Sequence, residues 1–298
     1  MRRNSCRAGE SVRSNGTVFY IDEQLGGVAR VARGPGRREG PLRSGTGFIK
    51  SLGKALSLLD CFTESEPQWR LTDLARRLDL PKSTVSNILT TLEAFGYVRQ
   101  FPDGSYGLGL RVFELGFVAR SSLKVQEHVL PILEEVLQAT NEIVYLTIPR
   151  EGQVLYIEAL YPTKRLIQYS IVGRRGPMHC TGCGKAMLAY MPLDEVKAVV
   201  ERHGLPRFTP TTITTWDELM AELDEIRQRG YAIDRGEHNV GVHCVAAPIL
   251  GAGGQLVGAI SLSGPPLHMT PERIPRYAAI VQRACGEIAS QGGLLEVE

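Results

Sequence analysis

The order of apolar periodicity and chain breakers between Leu71 and Leu108 constrains this chain more than any other feature. Leu71, Leu74, Ala75 and Leu78 recur at helical spacing and predict a short helix, capped by Thr72 or a neighbour. Asp79-Leu80-Pro81 breaks it. Val85, Ile88, Leu89 and Leu92 carry a further helix to Phe95, and Gly96 supplies the left-handed residue that ends it. Tyr97–Gln100 and Tyr106–Leu108 then read as strands joined at the turn Pro102-Asp103-Gly104-Ser105. Upstream, Ile49, Leu52, Ala55, Leu56, Leu58, Leu59 and Phe62 mark an amphipathic helix. Helix, helix, Pro turn, helix, Gly, strand, turn, strand is the order of a winged helix-turn-helix.

In such a unit the helix after the turn enters the DNA major groove with its N-terminal residues at base edges. Those residues are Lys82, Ser83, Thr84, Ser86 and Asn87. Lys82 suits a phosphate, Ser83 and Thr84 suit phosphate or base, the Thr84 methyl suits thymine, and Asn87 can bond adenine in a bidentate manner. Arg99 on the wing can reach the DNA backbone. Charge alone does not argue for DNA: residues 48–110 hold seven basic and seven acidic side chains. Any positive face must come from arrangement, and a helical bundle with a polar surface is the plainer alternative.

At 298 residues the chain suits two domains, and 43% hydrophobic with 22% charged residues is ordinary for a globular protein. Residues 1–47 differ: nine arginines face four acids among frequent Gly and Ser, which predicts a disordered basic arm, either a non-specific phosphate contact or an inert or untranslated tail. Leu110 to Ser121 predicts a helix linking the two domains, and a helix starts near Pro131. From Glu142 the pattern alternates. Ile143–Ile148, Gln153–Ala159, Leu166–Val172, Val242–Leu250 and Leu256–Ser263 read as strands. Gly182–Tyr190, Leu193–His203 and a capping-box helix from Thr215 to Arg229 read as helices, and Thr270-Pro271 as the start of the last one. Helices mixed with antiparallel hairpins make this an α+β chain.

No apolar run is long enough to span a membrane and the first 25 residues lack an apolar core, so neither a membrane span nor a signal peptide is expected. Six cysteines without secretory signals read as reduced thiols in the cytoplasm. Net charge is +2, too little to announce a polyanionic partner.

The chain resembles the IclR-type transcriptional regulators from about Ile49 to Ser290. The likeness rests on Ser51-Leu52-Gly53-Lys54-Ala55-Leu56, Leu74-Ala75, Leu80-Pro81-Lys82-Ser83-Thr84-Val85 and Tyr106-Gly107-Leu108-Gly109. It continues in Pro177-Met178-His179, Gly184-Lys185-Ala186, Asp234-Arg235-Gly236-Glu237 with Gly241, Cys244 and Ala246-Ala247-Pro248, and Ser261-Leu262-Ser263-Gly264-Pro265. It implies a winged helix-turn-helix domain over 48–110, a linker helix over 111–126 and a GAF-like effector-binding domain over 127–298, assembled as a homodimer or homotetramer on double-stranded operator DNA. Many members carry Arg where this chain has Asn87, so their base preference does not transfer. The resemblance places a small ligand at Gly182, Cys183, Asp234, Val242, Cys244, Ser261 and Ser263. The residue chemistry agrees: Ser261 and Ser263 alternate by two and share a strand face, Gly182 opens a helix, and Asp234 suits a ligand hydroxyl or hydrated carbonyl. The expected effector is a small hydroxy-, keto- or aromatic carboxylic acid, and no cofactor is expected. Strand-edge bonding for the serines and a turn role for Asp234 are the structural alternatives.

His179, Cys180, Cys183, His243 and Cys244 form a second constellation. Cys180-Thr-Gly-Cys183 has zinc-site or thiol-sensor spacing. The plainer reading is a satisfied histidine and small core cysteines. An enzyme with Cys183 or Cys244 as nucleophile and His243 as base is a further alternative, though nothing in the sequence orients that histidine. No enzymatic activity is expected.

Overall fold

The computed structural model describes residues 48–122, 125–162 and 171–291, together with three short strands nearer the N-terminus. Those strands are β1 (Val12–Ser14), β2 (Thr17–Tyr20) and β3 (Arg30–Val31), paired antiparallel in that order. The rest of the expected basic arm lies outside the described residues. The chain forms two compact units that divide between Phe117 and Val118, inside the helix expected to link them.

In the first unit, helix α1 (Lys50–Leu59) is followed by strand β4 (Gln68–Trp69) and helices α2 (Leu71–Leu78) and α3 (Lys82–Ala94). Strands β5 (Val98–Gln100) and β6 (Tyr106–Leu108) follow, and helix α4 (Leu110–Ser122) begins there. Leu58, Phe62, Leu74, Ala75, Val85, Leu89 and Val98 make its core. Only one stripe of the amphipathic α1 is buried, since Ile49, Leu52 and Leu56 face solvent. Asp79 turns the chain between α2 and α3 in the left-handed region (φ 54°), and Pro81 precedes the first turn of α3. Gly96 (φ +76°) ends α3 as expected. Its N–H reaches Glu93 O and the N–H of Tyr97 reaches Leu92 O, which satisfies two carbonyls at the helix end. The cap of α2 is a correction. Arg70 holds the cap position without a side-chain bond, and Thr72 sits inside the first turn. The reason is β4, which the sequence reading missed: it pairs with β6 and keeps the chain extended through Trp69, so the helix starts at Leu71.

The second unit is a six-stranded antiparallel sheet in the order β10-β11-β12-β7-β8-β9, built from β7 (Ile143–Arg150), β8 (Gln153–Leu160), β9 (Arg175–Gly176), β10 (Ala232–Arg235), β11 (His243–Leu250) and β12 (Leu256–Gly264). A π-helical turn at Val125–Val129 leads into α5 (Leu130–Thr140), and α9 (Ile274–Ser290) closes the unit. Side chains of α5 and α9 cover one face, packing on Val144, Leu146, Val245, Ala247, Ile260 and Leu262. On the other face lie α6 (Gly182–Leu188), α7 (Leu193–His203) and α8 (Trp216–Arg229), over Val154, Ala232, Ala246 and Ala259. The Thr215 cap is present, its hydroxyl accepting from the N–H of Glu218.

Two boundaries are corrected. Helix α6 stops at Leu188, short of Tyr190. Helix α9 starts at Ile274, because the N–H groups of Arg273 and Ile274 first close a turn onto Thr270 O, and Pro275 occupies the early helical position expected for Pro271. The expected strand Leu166–Val172 falls mainly on residues outside those described. No described helix is long and apolar enough to cross a membrane.

Candidate functional site

In the first unit, burial of Val85 and Leu89 fixes which side of α3 faces out. Lys82, Ser83 and Asn87 stand exposed, with Thr84 and Ser86 half-buried beside Val85. Ser83 and Asn87 are four residues apart and so share one face. The hydroxyl of Thr91 donates to the backbone O of Asn87 (2.8 Å). On the wing, exposed Arg99 lies over the ring of Phe101, 4.5 Å from its centroid. The turn beyond is closed by Phe101 N–H to Ser105 O and Gly104 N–H to Phe101 O. Every residue expected to contact DNA is thus on or beside one outward helix face, or on the wing next to it.

In the second unit, strand register builds a polar patch on an otherwise apolar sheet. Asp234, Cys244 and Ser263 are direct partners across β10, β11 and β12. Two residues along, Ala246, Ser261 and Tyr145 form the next row on the same face. Tyr156 lies opposite Thr147 and meets Tyr145 edge to face, centroids 5.3 Å apart. Helix α6 lies directly over this patch: a Cβ on Gly182 would meet the Cβ of Cys244 at 3.1 Å and of Ala246 at 3.4 Å, so a bulkier residue would push the helix off the strand. Thr181 caps the helix. Cys183 is thereby placed within hydrogen-bonding reach of Ser261 and Thr147, and the Cys244 thiol is 3.0 Å from the Ser263 hydroxyl. Asp234, Cys183, Thr147, Ser261 and Ser263 are buried, whereas Cys244, Tyr145 and Tyr156 are partly open. Val242, just before β11, stands apart at the exposed rim. The other six expected effector residues come together.

Burial sets the charge of this patch. It lifts the carboxyl of Asp234 to about 7, against the pull of the Glu237 N–H that it accepts at 2.7 Å. Burial also raises the thiols of Cys183 and Cys244 and the phenol of Tyr156, the last two well above their ordinary values. The patch is therefore rich in neutral donors at neutral pH, and Asp234 can donate to a ligand oxygen as well as accept from a hydroxyl.

Beneath it lies a charge cluster that the sequence reading did not assign. The fully buried Lys185 ammonium donates to Glu237 (2.6 Å), Ile233 O (2.8 Å) and Glu222 (3.2 Å). Through Glu237 this cluster fixes the loop whose N–H holds Asp234. Tyr145, Thr147 and Tyr156 were also unassigned. Their signal was the alternation of Tyr145 and Thr147 with apolar Val144, Leu146 and Ile148, which became readable only once β7 was known to pair with β12.

The His/Cys constellation is not assembled. Alternation along β11 turns His243 to the face opposite Cys244. The His179 ring nitrogen is already 3.0 Å from Pro206 O, and burial lowers its basicity. Among the described residues, no three His, Cys, Asp or Glu side chains converge as metal ligands. Burial favours the neutral thiols of Cys183 and Cys244, which runs against a nucleophile or redox-sensor role.

Residues 117–290 match the family described as bacterial transcriptional regulator IclR C-terminal, and residues 51–102 match the IclR helix-turn-helix domain. The chain belongs to the IclR family. It is 34% identical to the transcriptional regulator BhcR of Paracoccus denitrificans over 266 residues, covering 88% of this chain and 94% of that one. To the transcriptional repressor IclR of Escherichia coli it is 32% identical over 253 residues, 84% and 92% of the two chains. An IclR transcriptional regulator from Alicyclobacillus acidocaldarius superposes with a TM-score of 0.73 at 27% identity, covering 83% of this chain and all of that one. The IclR family member described here is thus an α+β protein with a winged helix-turn-helix, a linker helix and a GAF-like C-terminal domain, of a family of DNA-binding transcriptional regulators.

Proposed function

We propose that this IclR-family protein binds operator DNA through Lys82, Ser83, Thr84, Ser86, Asn87 and Arg99, and that a small carboxylic acid in the second unit controls the binding. The observation that carries the reading is the row Asp234–Cys244–Ser263. Polar side chains on a buried sheet face are costly unless hydrogen-bonded, and this row gathers several at one place beside the start of α6. Here Ser261, Ser263 and the two thiols supply donors for carboxylate oxygens, and Asp234 takes the hydroxyl or carbonyl of a hydroxy- or keto-acid. Gly182 and Cys183 complete the contact set, and Val242 stays at its rim.

The protein acts as a homodimer or homotetramer. Support comes from two exposed apolar stripes: Ile49, Leu52 and Leu56 at the cap and along α1, and Leu110 and Phe113 on α4. Phe113 is 73% exposed, an unusual state for a ring on a helix that buries none of its residues. Paired reading heads then match half-sites one helical turn apart, or a multiple of it. The ligand shifts the population of dimer arrangements by its differential affinity for them. A cytoplasmic location follows from this role.

The test has two arms. Duplexes are selected from a random library with the full-length protein, and the protein is titrated calorimetrically with pyruvate, lactate and 4-hydroxybenzoate as probes of the acid class. The reading expects an enriched sequence with two-fold symmetry and saturable one-site binding of at least one acid. No enriched sequence, or heat no different from that of sodium chloride for all the acids, would overturn it.

A further inference from the structure

Helix α4 buries none of its side chains, yet one of them is held by a buried carboxylate. The Nη2 of Arg120 donates to Oε2 of Glu158, on β8. Glu158 is 7% exposed, and its other oxygen accepts from the N–H of Ala159 at 3.1 Å. The Arg120 Nε is itself buried and has no hydrogen-bond partner, although the side chain as a whole is 37% exposed.

The position of Glu158 follows from a register shift. Thr147 pairs with Tyr156 and Leu146 with Glu158, so Ile157 is an extra residue in β8. In a regular strand Tyr156 and Glu158 would share a face. The bulge separates them. Tyr156 joins the face of Asp234, Cys244 and Tyr145, and Glu158 joins the face of Leu146, where Arg120 reaches it. Ala159, which anchors the Glu158 carboxylate, is the direct partner of Tyr145. Two residues of one bulged strand thus touch both the effector patch and the helix that continues into the DNA-binding unit.

We propose that Arg120 and Glu158 are positioning residues that couple the effector patch to α4, and through it to the reading head. The inference rests on the ligand control proposed above. A ligand against Tyr145 and Tyr156 shifts β8, the bulge transfers the shift to Glu158, and the ion pair draws α4 with it. A paired charge in a partly buried setting suits this task, because its geometry is specific and its loss is not compensated by water.

Linkage is reciprocal, so operator binding must disturb the effector strand if the effector disturbs operator binding. The test therefore needs no identified effector. Amide hydrogen exchange of 153–160 is followed in full-length protein with and without the duplex selected by the wild type. In the wild type the duplex is expected to change exchange there about fivefold or more. In Glu158→Gln, which keeps the side-chain shape without the charge, and Arg120→Gln, which removes both charge and reach, the duplex still binds and the change disappears. Arg120→Lys, which keeps the charge, restores part of it, which a merely structural role for Arg120 does not predict. An undiminished change in both Gln variants overturns the coupling role while leaving ligand control standing. No change in the wild type overturns the coupling role as well, while ligand control is judged separately by the Kd for the duplex with and without a bound acid.

Discussion

Lys82, Ser83 and Asn87 stand in solvent on a helix whose opposite side is buried, whereas Asp234, Ser261 and Ser263 stand inside their unit on a sheet face covered by α6. Under the proposed function, the difference follows from the partner each would meet. A duplex is large and arrives as a surface, so its contacts wait in water and cost the fold little. A small acid must be surrounded, so its contacts are desolvated in advance and strain the fold electrostatically. One unit can therefore lose a functional side chain without losing stability, and the other cannot change one without changing stability as well.

Five substitutions sharpen or break that contrast. Lys185→Met leaves Glu237 buried without its cation, while Glu222 keeps Arg229 at 2.8 Å, and is expected to cost about 3–5 kcal/mol; chemical denaturation followed by tyrosine fluorescence reads it, and a loss below about 1 kcal/mol would show that the buried cluster is not needed. Leu89→Ala in the small core of the reading head should cost about 2–5 kcal/mol. Its effect should fall on the first unit alone, seen as early loss of amide protection in α2 and α3 with β11 and β12 unchanged.

Asp234→Asn should stabilise the protein, with a defined pH dependence. The unfolded carboxyl ionises near 4, and the folded one at about 7. Between those values the folded chain holds a proton that the unfolded chain has lost, so wild-type stability falls as pH rises through the window. Removing the group should add roughly 2–3 kcal/mol more at pH 8 than at pH 5. Equal effects at the two pH values would mean that Asp234 is ionised in the fold.

The exposed residues should show the opposite profile. Asn87→Ala is expected to cost about 1–3 kcal/mol of discrimination at one base position, and Lys82→Ala to weaken all duplexes alike and flatten the salt dependence by about one unit of slope. Both should leave the melting temperature within the scatter expected of surface substitutions, about 0.5 kcal/mol in stability. Uniform weakening by both would remove the reading role of Asn87.

The same contrast explains what could be read before the structure was known. The reading head is local: Leu74, Pro81, Val85 and Gly96 act on chain within a turn or two of themselves, so its helices, turn and hairpin could be placed from periodicity and breakers. Its miss, the cap of α2, came from the one nonlocal element, β4 pairing with β6 across 37 residues of sequence, as Gln68 and Ser105 also show by hydrogen bonding at the end of those strands. The effector patch is nonlocal throughout. The family motifs named Asp234, Cys244, Ser261 and Ser263, and the strand register brings them onto one face of neighbouring strands. Tyr145, Tyr156 and Lys185 depended on sheet order, on a bulge and on the approach of α6 to β11, none of which leaves a short-range mark. His243 and Cys244 show the converse: adjacency in sequence suggested one cluster, and strand alternation split it.

Ligand control of DNA binding is tested most directly by titrating full-length protein into its selected duplex, with and without a saturating concentration of whichever acid binds. The account predicts that the Kd for the duplex changes by about fivefold or more and that Ser261→Ala with Ser263→Ala abolishes the change while leaving the acid-free Kd alone. The same Kd with and without bound acid would contradict it.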